Sequence, residues 1–222
     1  MVSRRRAPGD SRARLLEAAA YEFATRGFDG ATVDRIAGRA RVNKAMVYYH
    51  FTNKAALYRE ILRDVFGAVA AAVEAVPAAG GPPEAQMRGF IEAVATHAAA
   101  RPHFPSIWLR ELAEGGRHLD DSVVAQMRRV MQAFVAILAA GRRAGRFREV
   151  QPLIAHMSIV GPLLVFAASA LVRDRLRDRS PFPTEGITWE TVLAYVQDAA
   201  LATLTAPRSP AARVRPARRG MS

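Results

Sequence analysis

Apolar side chains recur three and four positions apart through most of the chain, and strict apolar–polar alternation over strand lengths is rare. That period predicts an all-α protein, with about nine helices in total. Between residues 11 and 25, Leu16, Ala19, Ala20 and Phe23 fall on one helical face, and Gly27 follows as a stop signal. Thr32 is placed to cap a second, short helix whose Asp34 suits the positive N-terminal end and whose Val33, Ile36, Ala37 and Ala40 form its apolar stripe. Asn43 opens a third helix that buries Val47 and Phe51, and Asn53 caps a fourth carrying Leu57, Ile61 and Leu62. Further helices are expected over residues 84–100, 105–114, 120–144, 152–174 and 188–205. Pro77, Gly80, Gly81, Pro82 and Pro83 mark a turn or boundary over 76–83, and Pro181 and Pro183 mark a loop over 180–186.

Two short helices joined by Ala40-Arg41-Val42 have the form of a helix-turn-helix, in which the second helix enters the major groove and the first crosses the backbone. The outward face of that second helix carries Lys44, Ala45, Met46, Tyr48, Tyr49 and His50. Lysine can donate to guanine O6 and N7, a small apolar group can touch a thymine methyl, and phenol or imidazole can bond phosphate oxygens. Lys54 adds charge where the start of the next helix already favours a phosphate.

Charge agrees with that reading. The net charge is +12, and it is uneven: residues 1–60 hold 12 Lys/Arg against 6 Asp/Glu, residues 61–205 hold 15 against 14, and residues 206–222 hold 5 Arg and no acid. Positive charge thus sits at the two ends with a balanced middle, and a focused basic region attracts polyanions. Lys44 and Lys54 are the only lysines among 32 basic residues. There is no cysteine, which excludes disulfides and thiol chemistry and suits a reducing, cytoplasmic setting. Arg4, Arg5 and Arg6 are followed by no apolar run of the secretory kind. Residues 153–172 are apolar over a membrane-spanning length, but His156, Ser158, Pro162 and Ser169 interrupt them, so a buried helix is expected and no membrane partner.

The run from Arg12 to Leu62 resembles the N-terminal domain of TetR-family transcriptional regulators. Its landmarks are Ala18-Ala19, Phe23, Gly27-Phe28, Thr32, Ile36-Ala37, Ala40, Val42, Lys44, Tyr48, His50-Phe51, Lys54 and Leu57. The resemblance implies that Thr32 contacts phosphate, that Asn43, Lys44, Ala45 and Met46 face base edges, and that Tyr48, Tyr49, His50 and Lys54 hold phosphates. Phe23, Ile36, Val47 and Phe51 would form the core behind them. Two residues depart from the family pattern: Arg41 and Ala45 stand where glycine is usual. A left-handed residue at a helix end costs a non-glycine residue on the order of 1 kcal/mol, so the turn at Arg41 is expected to be strained or closed differently.

The resemblance implies a DNA-binding head (11–57) and a helical ligand-binding and dimerisation domain (58–205); composition adds a basic N-terminal arm (1–10) and a basic tail (206–222) that lacks apolar residues to bury and is expected to be disordered. Function is expected to be sequence-specific binding of double-stranded DNA at a palindromic operator, as a repressor released by a small lipophilic or aromatic effector. A constitutive dimeric DNA-binding protein without effector is the alternative. Candidate effector contacts are Met87, Phe90, His97, Phe104, Trp108, Met127, Met131, Phe134, His156 and Met157, because methionine and aromatic side chains suit an irregular apolar cavity. The homodimer is expected to form through the last two helices, with Leu153, Ile159, Leu163, Phe166 and Leu171 facing Trp189, Leu193, Val196 and Leu204. Neither an HExxH or paired-histidine metal motif nor GxSxG, a phosphate loop or GxGxxG occurs, so no metal, cofactor or enzymatic activity is expected.

Overall fold

The computed structural model describes residues 8–176 and 186–205. The arm arginines, nearly all of the 180–186 loop and the 206–222 tail lie outside the described residues. Those described form ten helices: α1 (Pro8–Gly30), α2 (Val33–Ala40), α3 (Lys44–His50), α4 (Lys54–Ala78), α5 (Pro83–Ala100), α6 (Phe104–Ala113), α7 (Asp121–Arg143), α8 (Pro152–Ala168), α9 (Ala170–Leu176) and α10 (Trp189–Thr205).

The short helices start where side chains can replace missing backbone partners. Thr32 accepts from the Arg35 amide, Asn43 from Ala45 and Asn53 from Ala56, so each helix opens on a satisfied donor. Helix α1 is kinked at Gly27, which takes a φ of 71° that a side chain would resist. Helix α2 ends at Arg41 with φ 53° and ψ 47°, the left-handed geometry that glycine adopts freely. The Arg41 and Val42 amides return to Gly38 and Ala37, so the turn closes in the ordinary way and carries a strain of about 1 kcal/mol.

The expected single helix over 152–174 is instead two, and this break supplies the tenth element. Helices α8 and α9 meet at Ser169 with a bend of 62°. Ser169 and Arg173 turn onto the Phe166 carbonyl, and the Arg173 guanidinium lies 3.7 Å from the Phe166 ring centroid, so side chains take over the backbone bonding at the break. Among the described residues α7 alone is a single helix long and apolar enough to cross a membrane by length and composition.

One core runs from Leu15 to Leu204. In its first part α1, α2 and α3 bury Phe23, Ile36, Val47 and Phe51. Helix α4 then carries the same core onward through Leu57, Ile61, Leu62 and Val65 to Val73. The boundary expected between residues 57 and 58 therefore falls inside one continuous helix of 25 residues. Behind it α5, α7, α8 and α10 pack on one another, while α6 reaches back to α1.

The turn after α7 depends on a close approach. The Gly141 carbonyl accepts from the Arg146 and Phe147 amides, and a Cβ on Gly141 would meet the buried Phe147 ring at 2.0 Å. Gly141→Ala is expected to destabilise the protein by roughly 1–3 kcal/mol, as overpacking does. Urea unfolding checks this: the midpoint should fall at unchanged slope, and Phe147→Leu in the same chain should recover part of the loss.

Candidate nucleic-acid interface

Helix α3 has only seven residues, too short to persist alone, and its position is set by what it buries. Val47 is sealed against α1 and α2, and Phe51 closes the helix from behind, its amide donating to the Val47 carbonyl. Burial of these two side chains is worth about 1.5–3 kcal/mol each. The opposite face is left to solvent. Tyr48 is 53% exposed and Tyr49 73%, with Asn43, Lys44 and Ala45 also exposed. Capping uses the Asn43 carbonyl oxygen and leaves its amide nitrogen outward; capping by Thr32 uses an oxygen lone pair and leaves the hydroxyl proton to donate.

Other expected contacts are already engaged within the chain. Lys44 Nζ lies 2.8 and 3.0 Å from the two carboxylate oxygens of Asp34 on α2. That carboxylate raises the lysine's proton affinity above the ordinary value, so Lys44 stays charged and must exchange one partner for another to reach a base. Lys54 donates to the carbonyls of Phe28 (2.8 Å) and Ala31 (3.0 Å) and sits 4.3 Å from the Phe28 ring centroid. Two of its three donors thus hold the α1–α2 turn, and one is left for a phosphate. His50 Nε2 lies 2.8 Å from Ser11 Oγ, and its ring meets Tyr49 edge-on. Met46 is half-buried against the core rather than fully offered to a groove.

A buried polar junction behind the head escaped the sequence reading. Glu111 on α6 is fully buried and accepts from Tyr58 Oη (2.8 Å), the His118 amide (2.8 Å) and His118 Nδ1 (2.9 Å). Burial pushes its pKa up, but the three donors outweigh that and hold it below the ordinary carboxylate value; burial and Glu111 together push Tyr58 up. The His118 ring lies 4.0 Å from Phe28, and Arg117 pairs with Asp29 at 2.8 Å. His118 faces Glu111, while Asp120 caps α7. A second buried acid, Glu22, joins Arg26 (3.0 Å) to Arg39 (2.8 Å) and so ties α1 to α2.

Comparison with known proteins agrees with this architecture. The family model for bacterial regulatory proteins of the tetR family matches residues 15–61, and that for the tetracyclin repressor-like C-terminal domain matches residues 83–174, together more than half of the chain. The chain belongs to the TetR family. An HTH-type transcriptional repressor of Streptomyces coelicolor, SCO4008, is 33% identical over 111 residues, covering 50% of this chain and 54% of that protein, so the match spans only about half of that relative. The uncharacterized HTH-type transcriptional regulator YdeS of Bacillus subtilis is 29% identical over 191 residues, covering 80% and 88%. In fold, a tetR-family regulatory protein from Rhodococcus RHA1 superposes with a TM-score of 0.71 at 20% identity, covering 89% and 98%.

The TetR-family body does not bring the ten effector candidates together. Phe90, Phe134 and His156 form one group, with ring centroids 5.1–6.2 Å apart across α5, α7 and α8. Phe104 and Trp108 pack on Phe66 of α4 instead, 5.4 and 4.9 Å away. Met87 is buried, Met127 and Met131 are half-buried, and His97 Nδ1 bonds the Ala93 carbonyl oxygen. Met157 is 63% exposed and turned outward, because α8 is apolar on every side and the core takes only one of its faces. Of the expected dimer residues, Ile159, Leu163, Val196 and Leu204 are buried within their own chain, while Leu153 and Leu171 are exposed.

His156 Nε2 is buried without a hydrogen-bond partner among the described residues. Burial lowers its pKa, since the charged imidazole loses its hydration. The unfolded chain therefore binds a proton that the folded chain refuses, from about pH 6.5 down to the depressed value. Stability is full above that window and falls as pH drops through it. His156→Leu is expected to flatten this fall, measured as melting temperature from pH 7.5 to 5; parallel curves for both proteins would contradict the assignment.

Proposed function

We propose that this protein is a sequence-specific DNA-binding transcriptional regulator, a repressor released from its operator by a small lipophilic or aromatic effector. One observation carries the DNA-binding part: α3 offers Lys44, Ala45, Tyr48 and Tyr49 outward while Val47 and Phe51 fix it from behind. In this reading Lys44, Ala45, Asn43 and Met46 meet base edges, and Thr32, Tyr48, Tyr49, His50 and Lys54 position the helix on phosphates. Residues 11–57 read DNA, residues 58–205 bind ligand and dimerise, and the protein works in the cytoplasm.

The effector reading narrows to the Phe90–Phe134–His156 group. A ligand with an apolar ring and one hydrogen-bonding atom would satisfy the orphan His156 Nε2, whose unpaired burial costs about 1–3 kcal/mol. Displacement of α7 there acts on α4, which packs along it and carries Lys54 at its start. A shift in head position would then favour one state over the other.

A second copy of the chain fits the outward face of α8, α9 and α10. Leu153, Ile154, Met157, Val165, Leu171 and Tyr195 on these helices are all exposed, more apolar surface than monomers usually leave open. Two-fold symmetry would match two heads to a palindromic operator.

Selection of bound duplexes from a random pool, at fixed salt, tests the central reading. A palindromic preferred site is expected, and absence of any preferred sequence overturns it. Lys44→Ala should relax preference at one base position by roughly 1–3 kcal/mol. Asp34→Asn, which frees Lys44, should tighten duplex binding by up to about fivefold, the worth of a surface ion pair. Weaker binding by Asp34→Asn would mean that the carboxylate positions Lys44 rather than competing for it. For the dimer, Ile154→Glu should shift the protein toward monomer in sedimentation velocity; an unchanged dimer would place the interface elsewhere.

A further inference from the structure

A cleft of about 480 Å³ opens between the head and the turn that leads into α6. Its walls are α1, the end of α2 and the turn before α6. Arg14, Arg39, Arg41 and His103 line it, with Glu17 as the only acid among its lining residues. We propose that this cleft binds the phosphate group of a small phosphomonoester, at a site separate from the apolar effector group.

Three features point to a phosphate dianion. The first is charge: three guanidiniums and one carboxylate line the cleft. The buried Glu22 adds little correction, because its single charge is already shared between Arg26 and Arg39. A phosphomonoester carries about −1.5 to −2 at neutral pH, which suits an arginine-rich lining better than a single carboxylate does. The second is donor geometry. Arg39 lies over the Tyr21 ring with its carbon 3.5 Å from the centroid, and it gives its Nε to Glu22. Its plane is fixed, and guanidinium forks suit phosphate oxygens.

The third feature is Arg41. Its backbone is left-handed, and its exposed side chain has no hydrogen bond or ion pair among the described residues. Packing therefore gives no reason for a side chain where glycine would be unstrained, and strain retained at such a position points to a functional role. His103, from the body, meets Tyr21 of the head edge-on at 5.4 Å. A phosphate held by His103 together with Arg41 would bridge head and body. The cleft volume leaves room beyond the phosphate for a group the size of a sugar.

Calorimetric titration of the full chain at constant ionic strength tests this, with ribose 5-phosphate, inorganic phosphate and acetate as probes. Saturable binding of one ribose 5-phosphate per chain is expected, weaker binding of inorganic phosphate, and none of acetate. Arg41→Gly removes the guanidinium and relaxes the backbone, so its melting temperature should hold or rise while affinity falls about tenfold, the loss of one charge-assisted pair. His103→Gln should weaken binding in the same direction. No saturable binding, equal affinity for all three anions, or a wild-type response from Arg41→Gly overturns the proposal. So does an Arg41→Gly chain that keeps its phosphate affinity but loses duplex affinity with a shallower salt dependence, since Arg41 would then serve DNA.

Discussion

The structure depends most on one helix having two employers. Helix α4 begins in the head, where Lys54 holds the carbonyls of Phe28 and Ala31, and passes into the body, where Tyr58 donates to the buried Glu111. A buried carboxylate is tolerable only with its donors in place, and losing one partner of such a group typically costs about 3–5 kcal/mol. Tyr58, the His118 amide and the His118 ring supply them from α4 and from the turn before α7. The same His118 ring lies against Phe28, whose carbonyl Lys54 holds. The head therefore cannot tilt on the body without disturbing a contact chain that ends at Lys54.

The outward face of α3 is constrained differently. Its groups are few, and the strongest of them, Lys44, already has a carboxylate partner. In the proposed reading, that pairing acts against indiscriminate binding. A phosphate backbone alone must displace Asp34 and sit near its charge, whereas a base edge that replaces both donor contacts recovers the loss. The lysine is thus held ready but not idle, and solvent exposure of both partners keeps the exchange inexpensive.

Local hydrogen bonding made much of the head legible in the sequence. Thr32, Asn43 and Asn53 cap the helices that their side chains suggested, because each cap joins residues two or three apart. Gly27 kinks α1 and Arg41 turns left-handed for equally local reasons. Long-range partners were not legible. Tyr58 and Glu111 are 53 positions apart, and Lys54 reaches carbonyls 23 and 26 residues upstream, so spacing carried no hint of either. In the body the failure has another cause. Helix α8 is apolar on every side, so its pattern could not say which face meets its own core; Ile159 and Leu163 turned in while Ile154 and Met157 turned out.

That ambiguity is itself a physical statement about the body. A helix with one apolar stripe needs one neighbour, and a helix apolar all round needs two. Within the chain α8 is covered by α5, α6, α7 and α10, yet Leu153, Ile154, Met157 and Val165 remain exposed. The composition of α8 therefore exceeds what a lone chain can bury. Leu171 on α9 and Tyr195 on α10 are exposed as well, so the surplus spans three elements that follow the head and the junction at Glu111 in the sequence. The exposed apolar residues and the exposed face of α3 thus sit on different elements joined through α4 and the core. Under the proposed dimer, a contact made there would fix how far apart two heads stand without touching α3, the geometry that reading of paired half-sites requires.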